Sequence, residues 1–208
     1  GTKFKLDTFA GDLTNMESRE ALIAHAKSKF GTVDILIHNV GGPSPSEAKE
    51  TTLYAWAEGF DRLFNSVVHL NQAFLPDMTK QNWGRVICVT SLSVIEPIAG
   101  LAVSNSIRSA VTAMLKTLSD EVASQGVTVN CVAPGLIATE RLSQLMESRI
   151  AKSGQSKEEY EKQMLSSVPA GRLGAPEEFA NVVAFLASDK ASYVTGSTIS
   201  IDGGKRRS

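Results

Sequence analysis

The chain has 208 residues, of which 42% are hydrophobic and 21% charged, and its formal net charge is −1. This composition is that of one ordinary globular domain, and the near-neutral charge offers no basic face for nucleic acid or an anionic membrane. No apolar run approaches the ~18 to 20 residues that cross a bilayer. The opening residues carry no apolar signal core. We therefore expect a single cytoplasmic domain over 1–208.

The first part of the chain alternates between helix and strand patterns. Apolar residues at helical spacing predict a helix over 15–31. The β-branched run 32–40 then predicts a strand. A long helix follows over about 53–81, with breaks expected near Gly59 and Pro76.

The second part of the chain continues the alternation. Strands are predicted at 84–90, 126–135 and 196–204, with helices at about 104–125 and from Pro176 onward. Most of these strand runs are near-continuously apolar, which is typical of strands buried on both faces of a parallel sheet. The polar, helical segment at about 142–168 is predicted to be an insertion that covers the substrate. Strands that alternate with long helices indicate an α/β fold with an open parallel sheet.

The cysteines and histidines give no metal or disulfide signature. Cys88 and Cys131 lie inside apolar strand-like runs and are predicted to be buried, reduced thiols. His25, His38 and His69 are spread along the chain without ligand spacing, so no metal site is predicted. His38 ends a strand and is predicted to be a structural histidine.

Four motifs together resemble those of the short-chain dehydrogenase/reductase family, in particular its 3-oxoacyl-carrier-protein-reductase-like branch. They are FGTVDILIHNVGG, GRVICVTSLS, GVTVNCVAPGLIATE and GRLGAPEEFANVVAFLASDKASYVTGSTISIDGG. The likeness runs from about Asp12 to Gly204, and the motifs keep the family's order and separations. The resemblance implies an α/β, doubly wound parallel sheet (Rossmann-like) that binds NAD or NADP beyond the carboxyl ends of its strands.

Carried over motif by motif, the resemblance assigns a cofactor-binding role to eight residues. They are Asp12 and Leu13 at the adenine, Asn39 and Gly41 at the ribose side, and Pro134, Gly135, Ile137 and Thr139 around the nicotinamide and phosphates. Taken singly, each of them also fits ordinary turn chemistry. Their shared position at predicted strand ends favours the cofactor interpretation.

The chain departs from the family in lacking the opening strand, Gly-rich turn and helix that receive the pyrophosphate. It begins with 5–13, which resembles the family's third strand, so roughly 50 residues and the first βαβ segment are absent. Because the family's first strand lies in the middle of the sheet, its loss predicts a gap that rearrangement or a borrowed strand must close. We expect the chain to be part of a longer protein, with a shortened relative that binds no nucleotide as the alternative. The residues that select NAD or NADP are also outside it.

A second departure concerns the proton relay. The family places a serine after its fifth strand, a tyrosine 13 residues later and a lysine four residues beyond that. Here Ser91 matches the serine, but the other two positions hold Ser104 and Arg108. The family's supporting helix asparagine falls near Leu63. The spacing predicts that Ser104 and Arg108 share a helical face that points at the pocket.

The substituted residues cannot repeat the family's chemistry. A phenol has a pKa near ~10 that a neighbouring cation brings toward neutrality, whereas an aliphatic hydroxyl is far too weak an acid. Ser104 therefore either contacts the substrate or merely begins the helix as an N-cap. Arg108 stays charged and is suited to ribose hydroxyls or a substrate carboxylate. Ser93, Glu96 and Tyr193 remain as candidates to replace the acid.

Two functions remain open from the sequence. The first is an NAD(P)-dependent oxidoreductase that acts on a small carbonyl or alcohol substrate through an altered relay. The second is a non-catalytic, nucleotide-sensing or structural relative that keeps the scaffold. The resemblance implies a homodimer or homotetramer in both cases, formed through the final strand and the helix from Pro176.

Overall fold

The computed structural model describes residues 6–207, apart from the side chain of Lys152. Its sheet has four parallel strands, β1 (Ile35–His38), β2 (Gly84–Val89), β3 (Val127–Pro134) and β4 (Thr198–Ile201). They are neighbours in the order β1-β2-β3-β4. All four predicted strand runs therefore form strands, and their carboxyl ends meet at one edge of the sheet.

Seven α-helices connect or flank these strands in the described chain. They are α1 (Met16–Phe30), α2 (Leu53–Phe60), α3 (Ser66–Lys80), α4 (Ala102–Val122), α5 (Glu140–Ser153), α6 (Lys157–Ser166) and α7 (Pro176–Ala187). Asn15 begins α1 by accepting a hydrogen bond from the Ser18 amide, and Gly31 ends it at a φ of 75°. None of the helices in this part of the chain is long and apolar enough to cross a membrane.

The prediction of two breaks between residues 53 and 81 is wrong for Pro76, which lies inside α3. Near Gly59, a π-helical turn over Asp61–Asn65 joins α2 directly to α3, so the chain stays helical throughout. Gly59 is needed for packing, because a Cβ there would stand 2.3 Å from Val103 Cγ1. The glycine lets α2 approach α4, the helix that carries Ser104 and Arg108.

Helices cover both faces of the sheet, as the doubly wound class requires. On one face, α1, α3 and α4 pack on the strands around Met78, Leu115 and Val129, which are almost completely buried. On the other face, α7 packs on β2 and β3 around Leu186 and Val132. The predicted α/β, Rossmann-like class is confirmed.

The segment that resembles the family's third strand forms no strand over its described residues 6–13. Instead, the Asp12 carboxylate accepts from the Thr14 amide at 2.9 Å, and the chain turns into α1. A strand needs a hydrogen-bonding neighbour, and β1 makes no ladder on its outer side within the described residues. The gap was expected between this segment and β1; because the segment forms no strand, the described sheet ends at β1 and has no internal gap, so that expectation is wrong. Ile35 and Ile37 of β1 are 42% and 47% exposed.

Candidate active site

A cavity of about 950 Å³ lies beyond the carboxyl ends of β2 and β3. The loops after these strands, α5, α6 and the segment 204–207 surround it. Ser91 lines this cavity, as predicted for a residue that directly follows β2. Its hydroxyl accepts a hydrogen bond from the Ser93 amide at 3.1 Å, which fixes the oxygen and leaves the hydroxyl proton free to be donated.

Ser104 lies in the first turn of α4, but it does not begin the helix. The N-cap is Leu101, and it makes no side-chain cap hydrogen bond, so the N-cap interpretation of Ser104 is wrong. Ser104 is only 9% exposed and accepts from Arg108 Nε at 3.3 Å. Ser104 and Arg108 therefore share a helical face, as predicted, and they contact each other across one turn.

Arg108 extends from α4 to the ends of two neighbouring strands. Its Nη1 donates to the Val89 carbonyl at 2.9 Å, and its Nη2 donates to the Val40 carbonyl at 3.1 Å. Burial lowers the pKa of the guanidinium from its ordinary value, but an arginine starts high enough to keep its charge. Arg108 does not line the Ser91 cavity, so the expectation that it points there is wrong. The guanidinium instead binds the two strand-end carbonyls.

A separate void of about 10 Å³ lies next to Arg108, at the lower limit for one water molecule. Leu63, in the π turn and 3% exposed, forms one wall where the family has its asparagine. His38 forms another wall, and its Nε2 lies 2.9 Å from Asn71 Oδ1, the geometry of an imidazole N–H donated to the amide oxygen. Burial lowers the pKa of His38 to about 4, so the ring is neutral at pH 7. His38 is therefore structural, as predicted.

The loop after β1 leaves room for a ligand. Gly41 has no atom within 4 Å of where a Cβ would stand. Asn39 is exposed beside it at the strand end. Asp12 and Leu13 are committed in part to local contacts, because the Leu13 carbonyl accepts from Arg19 Nη1 at 2.7 Å.

The loop after β3 is built tightly. The Gly135 amide donates to the Ile201 carbonyl at 2.9 Å, and a Cβ there would stand 2.6 Å from Asp202 Cα. Pro134, at the end of β3, leads into this turn. Thr139 begins α5, where its hydroxyl accepts from the Leu142 amide. The eight predicted cofactor residues thus come from loops and turns, and those after β1 and β3 lie at the carboxyl edge of the sheet.

These strand-end loops fit the nicotinamide half of a dinucleotide. Ile137, in the turn after Gly135, is paired to Gly174 by an isolated parallel bridge, which holds its backbone in an extended conformation. Gly41, in the loop after β1, has open space where a Cβ would stand. Extended backbone offers an amide and a carbonyl to a planar carboxamide, and a site that glycine leaves open admits a ribose.

Four side chains are candidates to replace the tyrosine that serves as the acid in the family. Ser93 is buried, and its hydroxyl has no hydrogen-bond partner in the described chain. Tyr193 is 100% exposed and lies outside the cavity lining, so this candidate is wrong. Glu96 lines the cavity with Ser91, and so does Tyr160, a half-buried residue of α6 that the sequence analysis did not select. The signal for Tyr160 was a lone phenol in the predicted covering insertion.

Comparison with known proteins extends this picture. The sequence profile of the enoyl-(acyl carrier protein) reductase family matches residues 2–206. The 3-oxoacyl-acyl-carrier-protein reductase FabG of Haemophilus influenzae is 37% identical over 193 residues, which cover 93% of this chain and 75% of that protein. YwfH, an NADPH-dependent reductase involved in bacilysin biosynthesis, superposes with a TM-score of 0.90 at 31% identity, over 96% of this chain and 77% of its own. L-sorbose reductase of Gluconobacter frateurii, complexed with NADPH and L-sorbose, gives 0.88 at 29%, over 96% and 76%.

The parallel sheet, its covering helices and the cavity beyond the carboxyl ends of its strands define a Rossmann-like α/β protein. The chain belongs to the short-chain dehydrogenase/reductase family. The comparisons support an NAD(P)-dependent enzyme and do not favour the non-catalytic alternative.

Proposed function

We propose that the chain reduces the carbonyl group of a small substrate, or oxidises the corresponding alcohol, in the cavity that Ser91 lines. The observation that carries this proposal is the position of Ser91, at the end of β2 on the wall of a 950 Å³ cavity, in a chain that matches a reductase family over 2–206. Bound nicotinamide dinucleotide would supply the hydride. Because two relatives are described with NADPH, we propose NADPH as the cofactor to test first.

Each predicted residue keeps one role in this proposal. Asp12 and Leu13 would meet the adenine, Asn39 and Gly41 the ribose, and the turn Pro134, Gly135, Ile137 and Thr139 the nicotinamide and phosphate. Ser91 would donate its hydroxyl proton in a hydrogen bond to the substrate carbonyl, since its lone pair already accepts from Ser93. Ser104 and Arg108 act as positioning residues that hold the strand ends in place.

The proton that the carbonyl oxygen takes up during reduction needs a separate donor. Arg108 keeps its proton at all working pH values, and the Ser104 hydroxyl is too weak an acid. Tyr160 is the only one of the three tyrosines that lines the cavity in the described chain, and a phenol is the kind of acid that the family uses. We assign the role of proton donor to Tyr160, with Glu96 as the second candidate. A movement of α6 would bring the phenol to the carbonyl.

Dinucleotide titration followed by turnover tests this function. NADPH and NADH fluorescence would be titrated first, and a panel of ketones and alcohols assayed next. Ser91→Ala should lower kcat/KM at least a hundredfold, while Ser143→Ala, on an exposed face of α5, should not change it. Tyr160→Phe should lower kcat by at least tenfold, and Tyr193→Phe should leave it unchanged.

The outcomes separate the two functions. Tight dinucleotide binding with no turnover on any substrate would favour the nucleotide-sensing relative. Full activity in Ser91→Ala would overturn the assigned site. The homodimer or homotetramer and the cytoplasmic address stay predictions.

A further inference from the structure

Both apolar and basic side chains line the cavity that contains Ser91. The apolar residues include Ile98, Leu136, Leu142, Leu145, Met146 and Met164. The basic residues include Arg149 from α5 and Lys205 and Arg206 from the segment after β4. Glu96 is the single carboxylate that lines the cavity in the described chain. Because the whole chain carries a net charge of −1, this basic excess is local to the cavity.

The segment after β4 is held in place by a turn. Gly203 and Gly204 have φ values of 63° and 81°, a left-handed conformation that glycine adopts without strain. The Asp202 carboxylate accepts from the amides of Gly204 at 2.9 Å and Arg206 at 3.0 Å. Lys205 Nζ donates to Ser167 Oγ, just beyond α6, at 2.5 Å. The turn therefore fixes the basic residues next to the covering helices.

Arg149, Lys205 and Arg206 form no ion pair within the described part of the chain. Among the described residues, no carboxylate oxygen lies within 4.0 Å of the side-chain nitrogens of Arg149, Lys205 or Arg206. Arg149 makes one long hydrogen bond, 3.4 Å to the Ala99 carbonyl. A guanidinium beside an apolar surface binds carboxylates and phosphates well, because its planar donors pair with two oxygens at once.

We propose that the cavity selects carbonyl substrates with an apolar body and an anionic head group, a carboxylate or a phosphate monoester. The apolar lining residues would contact the body, and Arg149, Lys205 and Arg206 would bind the head group. The inference rests on the proposed function for the reacting carbonyl, but the anion preference is a property of the cavity alone. Binding without turnover therefore tests it separately.

Calorimetric titration of the full chain, with and without saturating NADPH, would compare octanoate, octyl phosphate and octan-1-ol. These probes share one apolar body and differ in head group. We expect octanoate or octyl phosphate to bind at least fivefold more tightly than octan-1-ol at low salt. The advantage should shrink in 0.5 M NaCl, because partly exposed ion pairs are screened. Whichever anion binds more tightly identifies the head group.

The test variants change two cavity-lining arginines, and the control changes an exposed lysine of α6. Arg149→Gln combined with Arg206→Gln should remove the anion preference and leave octan-1-ol binding unchanged. Lys162→Gln, an exposed residue of α6 outside the cavity lining, should preserve it. Equal affinity for the three probes, no binding of either anion, or an unchanged preference in the double variant would each overturn the inference. Loss of carbonyl reduction by Ser91→Ala with the anion preference intact would confirm that the two proposals are separable.

Discussion

Replacing Arg108 by methionine tests whether this side chain joins the strand ends. Methionine keeps the length of the aliphatic stem and removes three hydrogen bonds, to the Val40 and Val89 carbonyls and to Ser104. Hydrogen bonds from a charged donor contribute about 1.5–3 kcal/mol each. The desolvation of the guanidinium offsets part of this sum, since burial disfavours its charge. We therefore expect the free energy of unfolding to fall by about 2–4 kcal/mol.

Urea unfolding followed by circular dichroism measures this loss, and a thermal scan should show Tm lower by about 5–15 °C. Arg62→Met is the control, because Arg62 forms an i,i+4 ion pair with Glu58 and should cost only about 0.5 kcal/mol. Arg108→Lys should fall between the two, since an ammonium cannot span both carbonyls. If Arg108→Met cost no more than the control, the guanidinium would not be what holds the strand ends together.

The remaining predictions concern the buried groups and the relay. The pKa of His38 is lowered from 6.5 to about 4 in the folded chain. Between these two pH values, His38 is therefore protonated in the unfolded chain and neutral in the folded chain. Stability should fall by about 3 kcal/mol as pH drops from 6.5 to 4, and His38→Gln should abolish this dependence in urea titrations. Burial raises the pKa of Cys88 to about 12 and of Cys131 to about 11, so a thiol reagent should label neither until the chain unfolds. Ser104→Tyr with Arg108→Lys should raise the rate of carbonyl reduction.

The two central strands of the sheet, β2 and β3, could be predicted from the sequence because they are buried on both faces. Short apolar, β-branched runs such as 84–90 and 126–135 are typical of strands buried in a parallel sheet. Both form strands that are buried except at their last residue. The segment 5–13 shows where this reasoning fails. A strand is defined by its neighbour, and a local pattern carries no information about whether the neighbour is present.

The site was predictable only in part, for a similar reason. Ser91 follows a buried strand, so its place at the cavity was fixed by the strand end. The direction of Arg108 was not fixed by helical spacing, because the choice between the cavity and two backbone carbonyls depends on tertiary contacts. Tyr160 and Arg206 lie far apart in sequence and come to line one cavity only when the insertion and the segment after β4 fold around it. No local sequence pattern contains that arrangement.

The double substitution at positions 104 and 108 follows from this geometry. Ser104 is buried against the Arg108 guanidinium, so tyrosine alone would overpack the site and cost about 1–3 kcal/mol. Lysine at 108 removes the planar guanidinium that occupies this space, and its ammonium group remains as a cation that lowers the pKa of the phenol. The double variant should therefore lose stability but gain about tenfold or more in kcat with NADPH and a ketone, while Ser104→Phe with Arg108→Lys gains nothing. Equal rates in the phenylalanine and tyrosine variants would mean that the proton at this site is not what limits the reaction.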